Sequence, residues 1–442
     1  MAAGTSGTAR ATGAVYPWVA LALLSATNIL SNIDRTVPAI LYPQMRREIA
    51  ISDGTFGLIM GAGFTFVYCF FSLPVSRLAD RWSRKAVIMS CVGFWSVLTT
   101  LSGAALSGLQ FALCRVGVAV GEAGCLPASQ SIISQTFGAR RSGLALSILV
   151  AGSPLGTMLA LALGGFLADE VGWRVTLYLF GVVGMFLVMM VALVLRESPP
   201  EGGSRGERPD KPGIRETLLV LCRKKTFWAL ALGASTYSIF ASSMAVFTPV
   251  FLVRNFAFSV TRAGVLFGLV FGICGALGIM AGGAVSKFLQ ERDIRWNAWL
   301  PAGCLLAAGP LAAAAYTTGS VSTSLALLIV VKTLGPVSFG TNVVVLYRLV
   351  PPRLWSMTSA VLLIMMNGLG ASLGPVITGI VSEHFGAGNE AYGVRLGLLT
   401  VCAALPLAGF FFVLAARCIR GEVGAQAGPA DGSNRLAEAH AR

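Results

Sequence analysis

Apolar runs broken by short polar stretches recur along the whole chain. In the first half they cover 16–42, 55–79, 86–106, 109–136, 142–167 and 174–195; in the second, 227–253, 263–286, 297–318, 322–348, 355–382 and 394–416. Each is close to the roughly 20 residues that one helix needs to cross a hydrocarbon core of about 30 Å. Backbone N–H and C=O groups find no water in lipid, so these runs are predicted to be helices; a barrel would show shorter segments of alternating polarity. The stretch 196–225, rich in Pro, Gly and charge, cannot form a core and reads as a linker. The expected order is a tail at 1–15, a six-helix bundle at 16–195, the linker at 196–225, a second six-helix bundle at 226–417 and a tail at 418–442. The fold class is all-α membrane protein, with twelve transmembrane helices in two pseudo-symmetric bundles.

Composition agrees with this reading. Hydrophobic residues make up 55% of the chain and charged ones 12%, about half the charge of an ordinary soluble domain. The net charge of +14 does not point to nucleic acid, because the basic residues sit in short loops and are not massed on one soluble domain. With the N-terminus inside, Arg77, Arg81, Arg84, Lys85, Arg140, Arg141 and the basic linker fall on the cytoplasmic side. Arg46, Arg47, Arg174, Arg254, Arg262 and Arg395 then fall on the other, a positive-inside asymmetry that places both termini in the cytoplasm of an inner-membrane protein. The first apolar run is too long for a signal peptide and is expected to stay as an anchor.

Nine scattered cysteines show no CxxC pair and read as small buried hydrophobes, so neither a metal nor a cofactor is expected. GGSRG at 202–206 and GASLG at 370–374 match GxSxG, but neither serine has a strand-turn-helix setting or a partnered histidine, so no enzyme is predicted. No GxxxxGK[ST] nucleotide loop is present either. Glycines recur at four-residue spacing, as in Gly57/Gly61, Gly152/Gly156, Gly268/Gly272 and Gly370/Gly374, which suits close helix packing.

Ionisable residues within a span cost roughly 2.5 to 3.5 kcal/mol at its centre and mark function by default. By depth they are Asp34, Arg35, Arg115, Glu122 and Lys332. Arg115 and Glu122 are two helical turns apart and share a face of the fourth span. With the first span ascending and the fourth descending, an ion cluster is expected. Three cations against two carboxylates favour an anionic substrate, with Arg35, Glu122, Lys332, Tyr68, Tyr237 and Asn367 as candidate substrate contacts.

The halves echo each other: SRLADRWSRK after the second span has a degraded counterpart in GGAVSKFLQERD, and the fifth span resembles the eleventh. Six-helix repeats with a site between them are a transporter architecture. The loop Ser76–Lys85, with Asp80, Arg81, Arg84 and Lys85 in place, resembles the signature between helices two and three of the major facilitator superfamily, although Ser76 and Ser83 replace its glycines. Within that superfamily the chain is most similar to bacterial Spinster proteins. Asp34-Arg35, Trp95-Ser96, Arg115 with Gly121-Glu122, Gly172-Trp173-Arg174, Arg254, Gly374-Pro375 and Ser382-Glu383 carry the resemblance. Ser31, Ala119 and Lys287 depart from it.

The resemblance implies a proton-coupled secondary carrier in which Asp34 and Glu122 handle protons, Arg35 and Arg115 pair with them alternately, and Asp80, Arg81, Arg84 and Lys85 form a gating loop. It implies an amphiphilic anion such as a lysophospholipid as substrate. A small aromatic or sugar acid is the second expectation and a transporter-like sensor the distant third. The expected partners are substrate, protons and membrane lipids, with the protein a monomer that binds no nucleic acid.

Overall fold

The computed structural model describes residues 6–81, 83–196, 214–290, 292–351 and 354–424. Among them nine helical stretches are long and apolar enough to cross a membrane. These are α2 (Asp53–Ser72), α3 (Arg84–Gly103), α4 (Gly108–Phe137), Arg141–Val194, α7 (Lys225–Phe256), α8 (Val260–Val285), α9 (Trp296–Thr317), α11 (Met357–Phe385) and α12 (Glu390–Ile419). Arg141–Val194 holds two crossings, α5 (141–171) and α6 (173–194). The chain turns between them at Gly172, whose φ of +82° is open to a residue without a Cβ. Adding α1 (Ser6–Ile49), made less apolar by its polar residues, and α10 (Val321–Leu334, continuing as Val337–Leu349) completes twelve. The last part of the predicted linker is itself helical, Ile214–Cys222, with Thr217 and Leu221 buried.

Packing sets the direction of the helices. Along α5, Gly152, Gly156 and Gly164 lie against Asn28, Ile29 and Val37 of α1 in the same order, so the two run parallel. Gly103 meets Arg174 and Tyr178 while Gly93 meets Val188, so α3 and α6 run antiparallel. One end of this bundle is tied by Arg174, which donates to the carbonyls of Gly103 and Ala105 and pairs with Glu48. At the other end Lys85 donates to the carbonyl of Ala192 at 2.7 Å, and the Arg196 amide donates to the Tyr16 hydroxyl.

The repeat is legible contact by contact. The α1–α2 and α7–α8 hairpins each turn through a left-handed alanine, Ala50 and Ala257. Each then starts its second helix on a capping serine, Ser52 and Ser259. Gly156 of α5 sits on the carbonyl of Ile29 and the Cβ of Asn32 in α1; Gly370 of α11 sits on the same atoms of Ser235 and Ser238 in α7. Gly57 and Gly61 of α2 face the carbonyls of Pro375 and Ser372 in α11, just as Gly264 and Gly268 of α8 face those of Leu161 and Met158 in α5. Each glycine lets two helix backbones touch. Wide-turn π segments interrupt α2 (Ile59–Phe66), α8 (Val270–Cys274) and α11 (Met365–Ala371); such segments occur frequently at functional sites.

Compact units divide the chain differently from its repeat. One comprises Met1–Gly206, Ser242–Ile273 and Ala371–Thr400; the other comprises Glu207–Ala241, Cys274–Gly370 and Val401–Arg442. The α2–α11 and α5–α8 glycine contacts bring the two second-half stretches into the first unit.

Candidate functional site

Four of the five ionisable residues singled out within the spans come together within the first unit. Asp34 and Arg35 are neighbours in α1, and Arg115 and Glu122 lie two turns apart in α4. Arg115 and the carboxyl groups of Asp34 and Glu122 are all but completely buried. Arg35 Nη2 donates to Glu122 Oε2 at 3.0 Å. Aromatic rings from α2 hold the guanidiniums: Arg35 lies 4.3 Å from the Tyr68 ring centre and 5.2 Å from that of Phe64, and Arg115 reaches the same Phe64 ring at 5.3 Å. Phe64 belongs to the π segment of α2 and so stands between two cations.

Arg115 does not pair with a carboxylate. Its Nη2 donates instead to the backbone carbonyl of Asp34 at 2.6 Å. The two Asp34 carboxyl oxygens accept no hydrogen bond, although the Thr99 hydroxyl and Trp95 indole of α3 lie beside them. Glu122 Oε1 and Arg35 Nε are also buried with open hydrogen-bonding capacity.

A cavity of about 180 Å³ opens against this cluster, lined by Arg35, Tyr68, Glu122, Ser31, Leu126 and Val150 among others. Part of its polar wall is satisfied internally. Asn28 donates to the Leu149 carbonyl, Asn32 donates to Asn28, and Ser153 donates to Asn32 Oδ1 at 2.7 Å. Ser129 bonds its own helix at Cys125. Glu122 Oε1 and Arg35 Nε stay without a partner beside the cavity.

The second half has no such cluster at the matched positions. Register from the α1 and α7 contacts puts Phe240 and Ala241 where Asp34 and Arg35 stand. Counting from the capping serines Ser107 and Ser320 of α4 and α10 puts Leu328 and Gly335 at the places of Arg115 and Glu122. Lys332 matches Ala119 instead. It is buried, with its stem against Gly275 of α8. Tyr237 is buried against Gly335 in the same unit as Lys332. Asn367, in the π segment of α11, donates to the Leu363 carbonyl of its own helix. Of the expected gating loop, Lys85 anchors α3 to α6, and Arg84 is partly buried at the start of α3. The side chains of Asp80 and Arg81 lie outside the described residues, as do those of Lys287 and the far tail.

Sequence reasoning passed over Asp53. This carboxylate, buried at the first residue of α2, accepts from Tyr42 and Arg46 of α1, from both Arg254 Nη atoms of α7 at 2.7 and 2.9 Å, and from Ser382 of α11. Arg46 also pairs with Glu390 at 3.0 Å. The sequence signal was present in Arg46, Arg254 and Asp53 all bordering the same face of the membrane, but a polar residue at a span boundary is cheap and attracts no notice.

Comparison with known proteins gives a consistent result. The Major Facilitator Superfamily description matches residues 24–375. An "MFS-type efflux pump" of Mycolicibacterium smegmatis is 31% identical over 396 residues, covering 89% of this chain and 90% of that protein. Human "Protein spinster homolog 1" is 27% identical over 387 residues, covering 82% and 72% respectively. The crystal structure of a bacterial homolog to human lysosomal transporter, Spinster, in an inward-facing and unoccupied conformation, superposes with a TM-score of 0.84 at 28% identity, covering 92% of this chain and 98% of that one. The chain belongs to the Major Facilitator Superfamily and is a Spinster-like transporter within it.

Proposed function

We propose that the chain is a proton-coupled carrier of an amphiphilic or organic anion across the inner membrane, working by alternating access. The observation that carries this reading is the Arg35–Glu122 pair, which lines a cavity in the half that holds the charge cluster. A buried carboxyl group without a donor is costly to leave charged, and one gripped by a guanidinium is costly to leave neutral. Asp34 and Glu122 occupy these two situations side by side. Exchange of Arg35 or Arg115 between them, as the cavity changes its exposure, would load one and unload the other.

The excess of cations in the spans favours an anion, and Lys332 is a candidate contact for it. Leu126 and Val150 in the cavity wall and the Spinster relatives support an amphiphile such as a lysophospholipid. The M. smegmatis relative supports export. A small organic acid remains the second reading, favoured by the cavity's size. The positive-inside asymmetry supports cytoplasmic termini, which makes the Asp53 end the outer end. The α2–α11 and α5–α8 contacts lie at that end, and the protein is taken to work as a monomer.

Proteoliposomes with an internal pH dye test this reading. Adding lysophospholipid under a pH gradient should drive saturable proton movement. Proton movement with small carboxylates alone would select the second reading, and none with either would end the proton-coupled one.

A further inference from the structure

The two α-helices that open the outer ends of their hairpins, α2 and α8, are each capped by a carboxylate from the opposite repeat. Glu383 of α11 takes the Gly54 amide at 3.0 Å and the Ser52 hydroxyl at 2.8 Å on one oxygen. Asp169 of α5 takes the Thr261 amide and the Thr261 hydroxyl, both at 2.7 Å, also on one oxygen. Gly54 and Thr261 each stand two residues after their capping serine, and Glu383 and Asp169 each stand four residues after a glycine, Gly379 and Gly165. Those two glycines are matched in turn: Gly379 rests on the carbonyl of Asp53, and Gly165 rests on that of Val260. The caps are therefore one contact made twice by the repeat.

The chemistry of the contact is that of a helix start. Its first amides have no partner within the helix, and they carry the positive end of its dipole, so a carboxylate there is stabilising. Here the carboxylate comes from another helix, so the stabilisation exists only while α2 touches α11 and α8 touches α5. Below each cap, backbone meets backbone at Gly57, Gly61, Gly264 and Gly268. Contacts this close leave no room to slide, so each seam is either seated or parted.

We propose that Asp169 and Glu383 are a matched pair of positioning residues for transport: each holds one seam of the outer end shut, and the two seams part together. This rests on the transport reading only in requiring the outer end to open. Because the repeat makes the seams equivalent, loss of one cap should loosen the other.

Hydrogen exchange read by mass spectrometry on the full-length protein in nanodiscs tests this without substrate or a pH gradient. In D169A, peptides from the first turns of both α8 and α2 should exchange faster, by roughly fivefold for a lost cap, and E383A should do the same in reverse. Acceleration confined to the helix that lost its own cap, or none at all, would overturn the proposal. Should either alanine variant not fold, D169N and E383Q, which keep an acceptor oxygen but lose the charge, should give a smaller acceleration at the same two peptides, and acceleration at one peptide alone would overturn the proposal. Absence of proton-coupled flux would leave this result untouched, so the two ideas fail separately.

Discussion

Glu122 and Asp53 are both buried carboxylates on arginine, yet their surroundings give them different work. Asp53 is saturated: its two oxygens receive donors from four residues on α1, α7 and α11, leaving nothing to exchange. Glu122 has one oxygen on Arg35 and one without a partner, and it faces a cavity. Asp53→Asn should therefore act on stability. Removing one member of a buried charge network costs about 3 kcal/mol, so the melting temperature should fall and ligand binding to the remaining folded protein should be retained. Glu122→Gln also removes one member of a buried pair and should lower the melting temperature as well, but unlike Asp53→Asn it should abolish proton-driven accumulation while sparing substrate exchange. Full pH-driven uptake in that variant would remove Glu122 from the coupling role.

Helix seams depend on what is missing from glycine. A Cβ on Gly57 or Gly264 would collide with the carbonyl of Pro375 or Leu161, and a backbone cannot rotate out of the way. Alanine at either position should lower the melting temperature and shift the protein toward states in which the outer end is parted, measurable as faster exchange along α2 and α8. At Gly143 and Gly303 nothing lies within 4 Å of the added atom. Alanine there should be neutral or stabilising by about 0.5 to 1 kcal/mol, since it only removes freedom from the unfolded chain. The contrast between these pairs separates seam packing from glycine content as such.

At the scale of the whole molecule, the repeat keeps its seams, caps and hairpin turns in duplicate but not its charge cluster. Phe240, Ala241, Leu328 and Gly335 occupy the places of the charged quartet, so the cluster belongs to the first repeat alone. A thermal-shift screen against lysophospholipids, sphingoid phosphates and small carboxylates at two pH values would locate the ligand, because a molecule that binds only the folded state raises its melting point. Stabilisation by a lysolipid, lost in both Arg35→Ala and Lys332→Ala, is the expected outcome. Stabilisation that survives Lys332→Ala would confine the anion to the first half.

Hydropathy by itself determined the number of crossings, because the cost of placing polar backbone and side chains in lipid is paid span by span and is readable locally. The same cost singled out Asp34, Arg35, Arg115, Glu122 and Lys332, and the loop and helix-four motifs carried the family. Which of them touch was decided only by tertiary structure. Nothing along the chain says that Arg35 takes Glu122 while Arg115 turns to the Asp34 carbonyl, because that depends on how α1 and α4 are rotated against the Phe64 ring. Asp53 and Asp169 were silent, and Glu383 entered only as part of the family pattern, for a related reason: at a span boundary charge costs little, so composition gives no warning, and each has partners in helices of the other repeat. Burial energy is a property of a segment, whereas pairing is a property of two segments brought together.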